Sequence, residues 1–252
     1  MTPLVLLPGM MCDRRLFEPQ IAAVSPGRSV VVGDLTGADT VQDLATQVLA
    51  QAPARFALAG LSMGGIVAME VLRQAPDRVA GLALLDTNPL AEQPEVKARR
   101  GPQMAKVRAG LLDQVMREEL KPNYLAAGGK THAEILDLCM AMARTLGPEV
   151  FLRQSVALRD RPDQQATLAA VEVPSLILCG AEDRLCPPDR HRLMHRLIPA
   201  ATLVMVARAG HLPTLEQPAP VTAAMADWLG QVDLPLGDAL SARKAPSPGN
   251  PD

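Results

Sequence analysis

Aromatic side chains are nearly missing from this chain of 252 residues, which has three Phe, one Trp and one Tyr against 12 Met. A pocket walled by flexible aliphatic and thioether groups suits acyl chains or other small apolar groups. An excess of charge of one sign is missing too. The formal net charge of -2 and a sequence pI near 6.1 give no basic field that would draw phosphate backbones or anionic membrane surfaces, so nucleic acid and membrane drop out as partners. There is no C-x-x-C pair: Cys12, Cys139, Cys179 and Cys186 are scattered, as suits reduced structural thiols and neither a disulfide framework nor a zinc site. No apolar run approaches the ~18 residues of a membrane-spanning helix. The opening Met1 to Gly9 has no basic leader and is cut by Pro8-Gly9, so it reads as a strand and the protein as cytoplasmic. No internal repeat is visible.

What is present is 48% hydrophobic residues, enough for a domain that buries roughly 70 to 75% of its unfolded surface. Leu4 to Leu7, Ser29 to Val32, Phe56 to Leu61, Val79 to Leu85, Ser175 to Cys179 and Thr202 to Val206 are short Val, Leu and Ile runs, as in strands covered on both faces. Helical patterns lie between them at Leu16 to Val24, Thr40 to Ala52, Met63 to Gln74, Asp189 to Leu197 and Pro218 to Leu229. Such alternation means parallel crossovers: an α/β fold with a mostly parallel sheet flanked by helices.

The interval 87–170 breaks the pattern. It holds four helix-like stretches, near Glu95 to Arg108, Leu111 to Leu120, Thr131 to Thr145 and Pro148 to Leu158, and reads as a helical cap inserted after the fourth strand. Pro94, Gly101-Pro102, Pro122, Gly128-Gly129 and Gly147-Pro148 divide it into short helices. Its 12 Lys or Arg and 10 Asp or Glu nearly balance, and Lys97, Arg99 and Arg100 read as a solvated helix face. The core is then 1–86 with 171–230, and the Pro-, Gly- and Ser-rich 231–252 is a flexible tail.

The chemistry starts at Gly60-Leu61-Ser62-Met63-Gly64, with an apolar strand before it and a helical pattern after it. G-x-S-x-G alone is common. Between a strand and a helix it describes a nucleophile elbow, where a strained turn lifts the Ser hydroxyl above the sheet and small residues two positions away let strand and helix approach. A Ser hydroxyl needs a general base, and the base needs a third group to orient it. His211, in Ala209-Gly210-His211-Leu212, follows the last strand; Asp183, in Glu182-Asp183-Arg184, follows the one before. Both would stand at the carboxyl ends of strands, where α/β sites assemble. Glu182 and Asp86 are rival acids. His191 and His195 lack the intervening carboxylate of H-E-x-x-H and read as surface histidines, and His132 as a solvent-exposed cap residue. The backbone amides of Met63 and Met10 are the candidate oxyanion donors. Met11, Met104, Met140 and Met142 are candidate pocket residues, with ordinary core packing the equally open reading; only Met10, Met11 and Met63 are placed near the chemistry by the motifs.

The order Ser, Asp, His, together with Pro8-Gly9-Met10 after the first strand, resembles the α/β-hydrolase superfamily, of the small bacterial esterase-like kind, over residues 1–230. Pro8-Gly9 stands where that family usually has His-Gly. The chain begins at the strand that is usually third, so the resemblance implies a sheet of about six strands without the opening antiparallel hairpin. Ser62 at the elbow argues against haloalkane dehalogenases and epoxide hydrolases, which use Asp there. The resemblance implies hydrolysis of a small-molecule carboxylic ester through an acyl-enzyme, with no cofactor and no metal. Thioesterases, lactonases, carbon-carbon bond hydrolases and cofactor-free perhydrolases share the triad, and a non-catalytic ligand-binding member of the fold is the rival from another class.

Overall fold

The computed structural model describes residues 1–129 and 131–234. Six strands, β1 Leu4–Leu7, β2 Val30–Val32, β3 Phe56–Leu61, β4 Val79–Leu85, β5 Ser175–Gly180 and β6 Thr202–Val206, form one sheet in the order β2-β1-β3-β4-β5-β6. Every pairing is parallel. The four inner strands are buried along their whole length, which is why their sequences are continuous apolar runs with no polar alternation. The edge strands β2 and β6 are only partly covered.

The seven longer helices are α1 Glu18–Val24, α2 Val41–Gln51, α3 Met63–Gln74, α4 Pro94–Arg108, α5 His132–Arg159, α6 Pro188–Leu197 and α7 Pro218–Val232. Alternate residues of each strand feed two cores. Leu4, Leu6, Ala59, Leu61, Leu85 and Leu178 meet Ile21 of α1 and Trp228 and Leu229 of α7. On the opposite face, Val5, Leu7, Leu58, Leu84 and Ile177 meet Leu44 and Val48 of α2, Val67 and Val71 of α3, and Met194 of α6. With both faces covered, the open ground for a site is the carboxyl edge of the sheet.

Helices fill the interval between β4 and β5. Their own core joins Met104 and Val107 of α4 to Met140, Ala143, Val150 and Phe151 of α5. α5 bends at Gly147, whose φ of 80° is left-handed and whose successor, Pro148, disfavours helical backbone just before it. Gly101-Pro102, by contrast, does not interrupt α4, which runs through it. Gly101 and Pro102 are exposed, so the carbonyl that Pro102 leaves without an intrahelical donor belongs to a solvent-facing stretch of the helix.

The chain is tied down further than its composition suggests. Gln231 and Val232 complete α7, and the Asp233 carboxylate accepts from the Thr2 amide at 2.8 Å and Arg28 Nη2 at 2.6 Å. The rest of the expected tail, 235–252, lies outside the described residues. Among the described residues no helix is long and apolar enough to cross a membrane.

Candidate active site

Ser62 occupies the turn between β3 and α3 with φ 55° and ψ -116°. A non-glycine residue in that region costs on the order of 1–3 kcal/mol and persists only where the surroundings enforce it. Here the Ser62 amide donates to Leu85 O at 2.9 Å, while the Ser62 carbonyl accepts from Thr87 Oγ1 at 2.7 Å and from the Ile66 amide at 3.1 Å. The turn also depends on two close backbone approaches. A Cβ on Gly60 would collide with the Gly64 carbonyl, and a Cβ on Gly64 with the Leu7 carbonyl of β1. Glycine is the residue that lets strand and helix meet there.

Above the turn, Ser62 Oγ lies 2.9 Å from His211 Nε2, and His211 Nδ1 lies 2.8 Å from Asp183 Oδ2. The other Asp183 oxygen accepts from the Leu185 and Cys186 amides at 2.8 and 3.0 Å. Burial pushes this carboxyl up. The facing His211 and these hydrogen bonds outweigh burial and hold it below the ordinary Asp value. Asp86 is the reverse case, fully buried at the end of β4, accepting from the Gly180 amide at 2.8 Å, and raised well above the ordinary value by burial and then by Asp183. Glu182 is exposed and accepts from the Ala127 amide. Of the three acids, His211 is paired with Asp183.

The loop after β1 abuts the serine. A Cβ on Gly9 would stand 3.5 Å from Ser62 Cβ. Just beyond it the Met11 amide, at φ 56°, donates to Gln154 Oε1 at 2.8 Å and the Cys12 amide to Gly9 O at 3.1 Å. The Met10 amide has no acceptor among the described residues. Met63 begins α3, where backbone N–H groups are free of intrahelical partners.

A cavity of about 440 Å³ opens over these groups, walled by Gly9, Met10, Leu61, Ser62, Ile66 and His211 below and by the helices between β4 and β5 above.

A family model described as "Alpha/beta hydrolase family" matches residues 4–224. The chain belongs to that family. A pimeloyl-[acyl-carrier protein] methyl ester esterase from Pectobacterium carotovorum is 27% identical over 231 residues, 86% of this chain and 90% of that protein. Among solved structures, a thermophilic esterase from Thermogutta terrifontis, malate bound, superposes with a TM-score of 0.84 at 30% identity, covering 93% of this chain and 91% of that one. An enol-lactonase from Burkholderia xenovorans LB400 shares the fold, with a TM-score of 0.79 at 23% identity over 91% of this chain and 92% of its own.

Within this hydrolase the methionines divide differently from the sequence reading. Met10 lines the cavity, but Met11, Met104, Met140 and Met142 do not. The first three pack in the helical core with Val107 and Phe151, and Met142 joins the core beneath α1 and α7. Once α4 and α5 pair, their thioethers are the groups between them. Arg99 is exposed, as on a solvated face, and also borders the cavity, whereas Arg100, expected beside it on that face, is largely covered and lines the cavity. His132 is half-buried, 4.0 Å from Glu216.

His191 is likewise not a surface histidine. It is fully buried where α6 covers the sheet, with Nε2 accepting from the Thr87 amide at 3.1 Å and Nδ1 facing Pro187 O at 3.4 Å. Asp86, Cys179 and His191 come within 4.8 Å of one another, as metal ligands would. The chemistry of the donors is wrong for that role: both imidazole nitrogens are engaged, the Cys179 thiol donates to Gly180 O, and Asp86 favours its neutral form. In the neighbouring group of Asp183, Cys186 and His211, the carboxylate and imidazole are already committed to each other.

Burial lowers His191 from 6.5 to about 4. The unfolded chain therefore binds the extra proton first, and stability falls as pH drops from about 6.5 toward 4, by about 3 kcal/mol from this residue. Denaturant titrations across that window should show a shallower loss in His191→Gln, whose amide can replace both hydrogen bonds. Identical profiles for the two proteins would rule this out.

Three positioning residues carried no sequence signal. Thr87 props the Ser62 carbonyl, Gln154 reaches from α5 to the Met11 amide, and Glu216 binds the Gly210, Leu212 and Ala126 amides, tying the His211 loop to the inserted helices. The His211 amide itself donates to Tyr124 O at 2.7 Å.

Proposed function

We propose that this protein is a serine esterase that cleaves a small carboxylic ester through an acyl-enzyme. The observation that carries the reading is the unbroken line Ser62 Oγ, His211, Asp183, with spacings of 2.9 and 2.8 Å, mounted on a strained elbow at the floor of a cavity. Such spacing lets an imidazole take the hydroxyl proton as the oxygen attacks. The names of the Pectobacterium and Thermogutta relatives, both esterases, support ester as the bond class.

In this mechanism Asp183 accepts from His211 Nδ1–H and so leaves Nε2 with its lone pair toward Ser62. Ser62 Oγ bonds to the carbonyl carbon while its proton moves to Nε2. The carbonyl oxygen becomes an oxyanion held by the Met10 and Met63 amides, the latter at the positive end of α3. Collapse breaks the ester C–O bond, and the alcohol leaves with the Nε2 proton. Water then repeats the sequence on the acyl-enzyme and releases the acid. No cofactor or metal enters. The segment 87–170 serves as a cap over 1–86 and 171–230, and the protein works in the cytoplasm, on small molecules and not on nucleic acid.

Purified protein should hydrolyse p-nitrophenyl butyrate, releasing nitrophenolate in a burst stoichiometric with enzyme wherever deacylation is slower than acylation. Absence of turnover across short acyl esters, thioesters and lactones would reject the reading.

A further inference from the structure

The cavity wall is strongly unbalanced in charge. Among the described residues, Arg99, Arg100, Arg161, Arg184 and Arg190 line it, accompanied by two acids, Glu92 and Glu119. Glu119 is engaged by Lys106 Nζ at 2.8 Å. Glu92 is shared: Oε2 accepts from Arg100 Nε at 2.7 Å, and Oε1 faces Arg161 Nη1 at 2.9 Å. The side chains of this trio are nearly sealed, with Glu92 4% exposed, Arg161 6% and Arg100 12%. Two guanidiniums against one carboxylate leave an uncompensated positive charge in a poorly hydrated place, which is unfavourable unless an anion arrives.

Arg161 is held rigidly. Its Nε donates to Leu90 O at 2.9 Å, so the guanidinium is fixed in orientation, yet Nη2 has no acceptor among the described residues. Burial pulls Arg161 below the ordinary guanidinium value, while Glu92 acts in the opposite direction and Nη1 also donates to Leu158 O at 3.4 Å. The side chains of Arg184 and Arg190, on the segment that follows β5, also have no partner among the described residues.

We infer that this arginine wall is an anion subsite, and that the esters taken by the enzyme carry a free carboxylate in addition to the scissile ester. The inference deepens the proposed esterase function and rests on it, because the arginines line the same cavity as Ser62 and His211. A planar carboxylate matches the guanidinium fork, and one such group would bring Arg100, Arg161 and Glu92 to neutrality. An alkyl ester would bury the same cation without compensation.

The test separates binding from turnover. In Ser62→Ala protein, calorimetric titration should show monomethyl adipate binding at least about tenfold tighter than methyl hexanoate, as expected for one added charge-assisted contact. High salt should shrink that ratio. Arg161→Gln should bring it severalfold closer to one. Should that variant fail to fold, Arg184→Gln combined with Arg190→Gln removes two charges that have no hydrogen-bond or ion-pair partner among the described residues and should also reduce the ratio. Equal or weaker binding of the carboxylate-bearing ester overturns the subsite, as does a ratio unchanged by either set of substitutions. Hydrolysis of p-nitrophenyl butyrate by unaltered protein reads the esterase proposal separately: turnover without charge preference refutes only the subsite, and charge preference without turnover refutes only the hydrolysis.

Discussion

Asp183→Asn should lower kcat for an activated ester by about 10⁴-fold, and Ser62→Ala or His211→Ala by about 10⁴- to 10⁶-fold, while Asp86→Asn should leave kcat within about tenfold of the starting protein. The asymmetry between the two aspartates is the informative part. Both end strands at the carboxyl edge of the sheet, and both are buried. Asp183 faces His211 Nδ1 at 2.8 Å and is held in its charged form, so it can fix the imidazole tautomer and offset the imidazolium that develops. An Asn there can present an N–H to Nδ1, favouring the tautomer whose proton points at Ser62 and leaving no base. Asp86 instead serves the Gly180 amide and favours its neutral form, which an Asn imitates closely. Steady-state kinetics of the four variants, with circular dichroism to show that each is folded, measure the difference. A large loss in Asp86→Asn with little in Asp183→Asn would reverse the assignment of the acid.

Gly64→Ala is expected to destabilise the protein by more than about 4 kcal/mol, enough to remove most of the stability of an ordinary domain. Its added methyl would be driven into the Leu7 carbonyl and against Pro8 O, which are backbone atoms of β1 and the loop that follows it and cannot rotate aside. The strand, the elbow and that loop would have to separate, so whatever folded protein remained would also lose Met10 from its place beside Ser62. Urea unfolding and soluble yield report the outcome. A Gly64→Ala protein as stable and active as the parent would mean that the packing of β1 against α3 is not what shapes the elbow.

The sheet was legible because burial on both faces leaves a plain trace. Phe56 to Leu61 and Val79 to Leu85 are uninterrupted apolar runs, and they form β3 and β4. The positions of Ser62, Asp183 and His211 could be read for a related reason, since each follows such a run and parallel topology sends all three ends to one edge. What could not be read depends on how the inserted helices settle on that edge. Nothing local to Gln154, Glu216 or Arg161 announces a partner, because the Met11 amide, the Ala126 amide and Glu92 lie 143, 90 and 69 residues away in sequence and meet them only after folding. The same cause left the methionines open between pocket and core. A thioether at helical spacing looks alike whether it faces ligand or another helix, and pairing of α4 with α5 turned Met104 and Met140 into core. The missing carboxylate of H-E-x-x-H speaks against a metal at His191 but not for the surface, and the helix face carrying His191 and Met194 lies against the sheet.

The central claim, that Ser62 is an activated nucleophile, is tested most directly by treating the protein with a fluorophosphonate and weighing it intact. The account predicts one adduct per chain, mapped by peptide mass to Ser62, absent in Ser62→Ala and slowed by several orders of magnitude in His211→Ala. No labelling of the folded parent, or labelling that persists in Ser62→Ala, would contradict it.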